Sequence, residues 1–139
     1  MASMQAKTGA ALCGCVLAMA ATMASAANVD AKLKAYQDSS AEATRIMTGI
    51  TDEASAKANA TQLDAAMKKQ HAADAALNAE LKKLNLGKEA DGREMEKATA
   101  EMAKTNEALT AQQMRILGNP AAGSVVGRSF GHPVVGKKK

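Results

Sequence analysis

The chain has 139 residues, enough for a single domain, and its only aromatic residues are Tyr36 and Phe130. The formal net charge is +4, but residues 27–118 hold 13 cations against 14 acids and are nearly neutral. Nucleic-acid-binding domains usually combine a basic face with aromatic stacking platforms. We therefore expect no nucleic-acid partner.

Residues 1–26 have the pattern of a secretory signal peptide. Lys7 is the only charged residue of this segment, and an apolar run follows from Ala11 to Met23. Ala24-Ser25-Ala26 then supplies the small residues that signal peptidase requires. The apolar run is too short to span a membrane. We predict cleavage after Ala26 and export of a soluble product to the periplasm or the medium.

A lipoprotein signal is the alternative interpretation of the same segment. Leu12-Cys13-Gly14-Cys15 is similar to a lipobox in which Cys15 would carry the lipid. Lipidation would tether the protein to the envelope, and we expect membrane attachment only in that case. Both cysteines of the chain lie in this segment, so a chain that begins at Ala27 can form neither disulfides nor thiolate metal sites.

The first helix predicted after the signal runs from about Val29 to Ile50, with Asn28 as its N-cap. Its apolar residues recur at spacings typical of one helix face, and Ser40 interrupts the stripe. The stripe consists of Val29, Leu33, Tyr36, Ala43, Met47 and Ile50.

The second predicted helix runs from about Asp52 to Leu84 or Asn85, with Thr51 as its N-cap. Asp52 and Glu53 fall in the first turn, where negative charge interacts favourably with the helix dipole. The apolar stripe consists of Ala56, Ala60, Leu63, Met67, Leu77, Leu81 and Leu84.

The middle of this second stripe is polar. Between Met67 and Leu77, the positions that should face the core fall near Gln70 and Asp74. Two interpretations remain open, because either water enters the interface at this point or the stripe drifts around the helix.

The third predicted helix runs from about Lys88 to Leu117. Gly87 is suited to end the preceding helix, and Gly118-Asn119-Pro120 ends this one. The stripe consists of Met95, Ala98, Met102, Leu109 and Ile116, with Met114 and Leu117 beside it.

These elements predict an all-α bundle over residues 27–118. The short link near residues 86–89 predicts that helices two and three form an antiparallel hairpin. Helix one either joins as the third member of a bundle or continues into helix two as one bent rod, because Gly49–Thr51 contains no proline. Residues 119–139 hold both prolines and four glycines, which predicts a flexible basic tail.

Few residues are candidates for chemistry. Met67, His71 and Asp74 could share one helix face and approach a metal, but a thioether, an imidazole and a carboxylate make a poor ligand set. The acids Glu89, Asp91, Glu94 and Glu96 lack the spacing of a calcium loop. The serines have no histidine partner at a recognisable spacing. We therefore predict no catalytic residues, no cofactor and no metal site.

The methionines that follow the signal allow several roles. They stand at stripe positions and suit a core that tolerates irregular packing. They could also line a promiscuous binding groove, or bind copper(I) with His71 through soft sulfur ligands. The residues concerned are Met47, Met67, Met95, Met102 and Met114.

Two phrases in the sequence resemble a known group of proteins. Thr51 to Lys57, followed by Leu63 and Met67, and then Met114 to Pro120 are similar to small alanine-rich exported proteins of planctomycete-type bacteria. The resemblance spans roughly residues 40–122 and implies a helical fold. Many members look like lipoproteins, which adds support to lipidation of Cys15, and the family brings no assigned activity or site.

From these observations we expect a non-enzymatic exported module of the cell envelope. Its apolar helix stripes would bind a protein partner or a second copy of the chain. A periplasmic chaperone-like protein that binds unfolded clients is one alternative. Copper binding of low specificity through methionine and histidine is another.

Overall fold

A computed structural model describes the backbone of residues 5–131 and the side chains of residues 26–131. Within this part the chain is helical, as the sequence predicts. The helices are α1 (Gln5–Thr48), α2 (Glu53–Leu81), α3 (Glu89–Leu117) and α4 (Pro120–Val126), and a 3-10 helix follows at Gly127–Phe130. α1 continues through Asn28, which therefore does not cap it in the full chain.

Helices α1 and α2 are separate elements that pack against each other, so the interpretation as one bent rod was wrong. The chain reverses between Thr48 and Glu53. An ion pair between Lys69 and Glu42 (2.9 Å) then joins the two antiparallel helices. The buried residues of α1 match the predicted stripe, and Ser39, Ser40 and Ile46 are buried beside it.

Asp52, and not Thr51, is the N-cap of α2. The Asp52 side chain accepts a hydrogen bond from the backbone N–H of Ser55 (2.8 Å), and Ser55 Oγ accepts one from the backbone N–H of Asp52 (3.0 Å). This reciprocal capping box satisfies two backbone donors that have no partner inside the helix. The hydrogen bond from Ser55 lowers the pKa of the Asp52 carboxyl.

The C-terminal end of α1 is held by α3. Arg115 donates hydrogen bonds from its guanidinium to the carbonyl oxygens of Met47 (2.6 Å) and Ile50 (2.8 Å). Asn119 donates a further bond to the carbonyl of Thr51 (3.3 Å). Carbonyls at the end of a helix lack partners within it, and a cation there also interacts favourably with the helix dipole. Arg115 therefore joins the α1–α2 turn to the end of α3.

The segment predicted as a flexible tail is helical in its first part. Asn119 caps α4, because its side chain accepts bonds from the backbone N–H groups of Ala121 and Ala122. Ala122, Val126 and Phe130 are buried. A side chain at Gly123 would come within 3.3 Å of the backbone of α3, so glycine permits this close approach. The folded body thus extends to Phe130, and residues 132–139 lie outside the described part.

Buried side chains form two clusters, one at each end of the bundle. The cluster that we call the closed end joins the end of α1, the first half of α2, the last part of α3, α4 and the 3-10 helix. Its members are Ala43, Ile46, Met47, Ile50, Ala56, Leu63, Ala66, Met67, Leu109, Ile116, Ala122, Val126 and Phe130. The cluster that we call the open end is smaller and consists of Val29, Leu33, Tyr36, Leu77, Leu81 and Ala98.

The predicted signal peptide with its cleavage site and Cys15 occupies residues 1–26. The side chains of residues 1–25 lie outside the described part. Among the described residues, no helix combines the length and apolar character needed to cross a membrane.

Candidate binding groove

A concave surface lies between α2 and α3 in the described part of the chain. These two helices are antiparallel, as predicted. The backbone of α1 packs closely against both of them, whereas the backbones of α2 and α3 remain apart, and side chains of all three helices meet in the buried clusters. The space between them is a groove of about 740 Å³, which we call the α2–α3 groove. Tyr36 of α1 contributes to its lining, and Phe130 contributes at the closed end.

The lining explains why the two helices stay apart. α2 presents Met67, Gln70, His71, Asp74, Asn78, Leu81 and Lys82, and α3 presents Met95, Thr99, Met102, Ala103, Asn106, Leu109 and Gln113. The α2 wall is polar between Met67 and Leu81, and polar and apolar side chains are mixed on the α3 wall. Closer contact of the two walls would remove these polar groups from water, which is costly unless they find hydrogen-bond partners. The groove runs along the polar interruption that the sequence places at Gln70 and Asp74. Of the two interpretations left open there, the one in which water enters the interface agrees with this groove.

Gln70 is the most unusual residue of the groove. Its side chain is only 5% exposed, yet its Oε1 atom has no hydrogen-bond partner within the protein. A buried acceptor without a partner costs about 1–3 kcal/mol, so such groups are rare in folded proteins. The oxygen itself is shielded from solvent by the surrounding protein.

Asp74 follows Gln70 by one helical turn and adds negative charge to the same wall. Its carboxylate accepts a bond from Asn78 Nδ2 (3.2 Å), but it forms no ion pair with any residue between 26 and 131. The effect of that charge extends to the nearby tyrosine. Burial raises the pKa of Tyr36, and the negative charge of Asp74 raises it further.

Three of the five candidate methionines line the groove. Met67, Met95 and Met102 all contribute to it. Met47 is instead fully buried in the closed end, and Met114 is 65% exposed. Sequence spacing placed all five near one face of their helices, but only the packing of α2 and α3 shows which of them share a surface.

The metal candidates share the groove without forming a ligand cluster. Met67, His71 and Asp74 all line it, but in the described part of the chain no three histidine, cysteine or acidic side chains converge on one point. The acids at the start of α3 have other partners. Glu89 pairs with Arg93 (2.7 Å), and Asp91 accepts a bond from the backbone N–H of Asn85 (2.9 Å), which closes the α2–α3 loop.

Tyr36, Thr99, Asn106 and Phe130 were not singled out as site residues from the sequence, although all four line the groove. The only signal available was the polar interruption on α2. No protein-family model matches the chain, and no curated protein or solved structure matches it significantly.

Proposed function

We propose that the protein is a non-enzymatic, exported module of the cell envelope that binds a polypeptide segment in the α2–α3 groove. The observation that carries this proposal is the separation of α2 from α3, which leaves methionine, leucine and amide side chains on two facing walls. Peptide-binding grooves between helices typically combine apolar walls with a few polar groups that fix orientation.

The segment could come from another envelope protein or from a second copy of this chain, and site-specific photo-crosslinking in the host distinguishes the two. A photoreactive amino acid replaces Met102 in the groove wall or, as a control, Glu107, which is exposed and does not contribute to the groove lining. Crosslinks from position 102 alone support binding in the groove, and the mass of the product shows whether the partner is a second copy. Equal crosslinking from both positions, or none from position 102, would contradict the proposal.

A chaperone-like activity is a second candidate, and the methionines of the groove favour it. Methionine side chains are flexible and polarizable, and they adapt to apolar segments of different shape. The test measures aggregation of an unfolded model client with excess protein. The activity is supported if the protein suppresses aggregation and loses this effect when Met95 and Met102 are both replaced by glutamate. If the unmodified protein does not suppress aggregation, the chaperone-like activity is excluded.

A further inference from the structure

The chain leaves its described part beside the α2–α3 groove. Phe130 is buried in the closed end and also lines the groove. The next residue, Gly131, has a left-handed backbone with a φ of 73°, which turns the chain where the 3-10 helix ends. A side chain at Gly131 would come within 3.8 Å of Cε1 of His71, which also lines the groove. Residues 132–139, which we call the 132–139 segment, therefore start at the groove wall.

The composition of the 132–139 segment favours an extended chain with an apolar centre. Pro133 disfavours helical backbone conformations at the residue before it and fixes its own φ. Val134 and Val135 are β-branched residues that also favour extended structure. These three are the apolar residues of the segment, which otherwise consists of histidine, glycine and three lysines.

The segment is long enough to run along the groove. From His71 to Lys82, the α2 wall measures about 16 Å at 1.5 Å per residue. An extended chain advances about 3.3 Å per residue, so about five residues cover this wall, and Val134 and Val135 fall about 10 to 13 Å from Gly131. The apolar groove residues of the open end lie in this direction, and they are Leu81, Met95 and Met102.

We propose that the 132–139 segment folds back as an extended strand into the α2–α3 groove of its own chain. Residues 133–135 then cover the apolar surface formed by Met102, Met95 and Leu81. The inference rests on the proposed function and adds its regulation, because a partner segment must displace the chain's own segment before it binds. Tethering gives the segment a local concentration of about millimolar, so a contact too weak to hold a free peptide still keeps the groove occupied.

The position at which the segment is attached selects it as the occupant and sets its direction. The chain enters next to His71 and Phe130, so the segment runs from the closed end towards the open end. The contacts are apolar, and the three lysines are not required for them. This separates the proposal from a general attraction between a basic segment and the acidic residues of the bundle.

Oxidation of methionine side chains by hydrogen peroxide, followed by mass spectrometry, measures whether the groove is covered. The test compares the full chain with a double variant that carries Val134→Asp and Val135→Asp. We expect Met95 and Met102 to oxidise about threefold faster in this variant, because the charged side chains no longer cover the apolar surface. Met114 is 65% exposed and lies outside the groove, so its rate should not change. Unchanged rates at Met95 and Met102 would overturn the inference.

Two controls separate the loss of this contact from other effects. Met47 is fully buried in the closed end, so a faster oxidation of Met47 reports opening of the whole fold. A variant with Lys137→Gln and Lys138→Gln changes the same segment without touching its apolar centre. The rates at Met95 and Met102 should then stay within about 1.5-fold of those in the unmodified chain. An effect as large as that of the double aspartate variant would contradict an apolar contact.

Crosslinking locates the segment directly and does not depend on the aspartate variant. A photoreactive amino acid at position 134 of the full chain should form crosslinks within one chain to peptides that contain Leu81, Met95 or Met102. Crosslinks confined to a second copy or to surfaces outside the groove, or none at all, would overturn the inference. This outcome is separate from that of the proposed function, because position 102 can still crosslink to a partner when the chain's own segment does not occupy the groove.

Discussion

The two ends of the bundle differ in what lies between α2 and α3. At the closed end, α4 packs against both α2 and α3, and the chain's own Ala122, Val126 and Phe130 complete the core. At the open end the α2–α3 groove separates the same two helices, and the buried cluster combines side chains of α1, α2 and α3. The comparison shows that α4 fills the space between α2 and α3 at the closed end. No segment in the described part of the chain fills the corresponding space at the open end, where we propose that a bound segment completes the packing.

The largest expected effect compares the same truncation at the two ends. Leu63→Ala in the closed end should lower the free energy of unfolding by about 3 kcal/mol, because Leu63 is fully buried and the cavity cannot fill easily. Leu81→Ala should cost about half as much, since Leu81 borders the groove and the site can relax or admit water. Urea denaturation measures both values, and equal costs would break the distinction between the ends.

Removal of the link between α1 and α3 should have the next largest effect. Arg115→Ala deletes the bonds to the carbonyls of Met47 and Ile50 and should destabilise the protein by about 2 kcal/mol, as expected for hydrogen bonds from a charged group. Arg115→Lys keeps the charge but cannot reach both carbonyls in the same planar geometry. The melting temperature of Arg115→Lys should therefore lie between those of Arg115→Ala and the unmodified protein. If Arg115→Ala left the free energy of unfolding unchanged, the closed end would not depend on this link.

The cap of α2 should give a smaller effect that depends on pH. Hydrogen bonds from Ser55 hold the pKa of Asp52 below its ordinary value of 3.8. The cap therefore contributes stability above about pH 4, and the contribution is lost as the pH falls through the lowered pKa. Asp52→Ala should lower the melting temperature at neutral pH by a few degrees. The difference from the unmodified protein should shrink in acid, and a constant difference at every pH would exclude this origin.

The smallest effect concerns the open end and is a shift in titration. Burial and the charge of Asp74 raise the pKa of Tyr36 above 10.0. Below pH 10 this preference for the neutral phenol favours the folded state, and the contribution is lost as the pH rises through the raised pKa. Ultraviolet absorbance of the phenolate follows this single tyrosine. Asp74→Asn should lower the titration midpoint of Tyr36 towards 10.0 without reaching it, because the burial of the phenol remains. Glu107→Gln should leave that midpoint unchanged.

Helix periodicity predicted much of this fold because the stripes record which side of each helix is buried. The stripe of α1 is buried in full, and Leu63, Met67, Leu77 and Leu81 are buried on α2 as expected. Gly118 also marks the end of α3. These features depend on local spacing and on the conformational preferences of single residues, so the sequence alone is enough to find them.

The remaining features depend on contacts between distant residues. Glycine and proline made residues 119–130 look like a tail, but Ala122, Val126 and Phe130 gain enough contact with α2 and α3 to hold them in place. The polar interruption at Gln70 and Asp74 indicated an irregularity on α2. Its nature as a groove depended on α3 standing opposite, which no local pattern reveals. The exported location and the resemblance to alanine-rich planctomycete-type proteins stay predictions.

The Arg115 link also has a consequence for the order in which the protein can mature. Its two bonds connect residues 65 and 68 positions apart. A chain emerging N-terminus first therefore keeps the carbonyls of Met47 and Ile50 hydrated until residue 115 has followed. The α1–α2 hairpin therefore lacks these two hydrogen bonds until Arg115 has been synthesised. Late formation of these bonds is compatible with the export that we propose, because a secretion channel passes an unfolded chain.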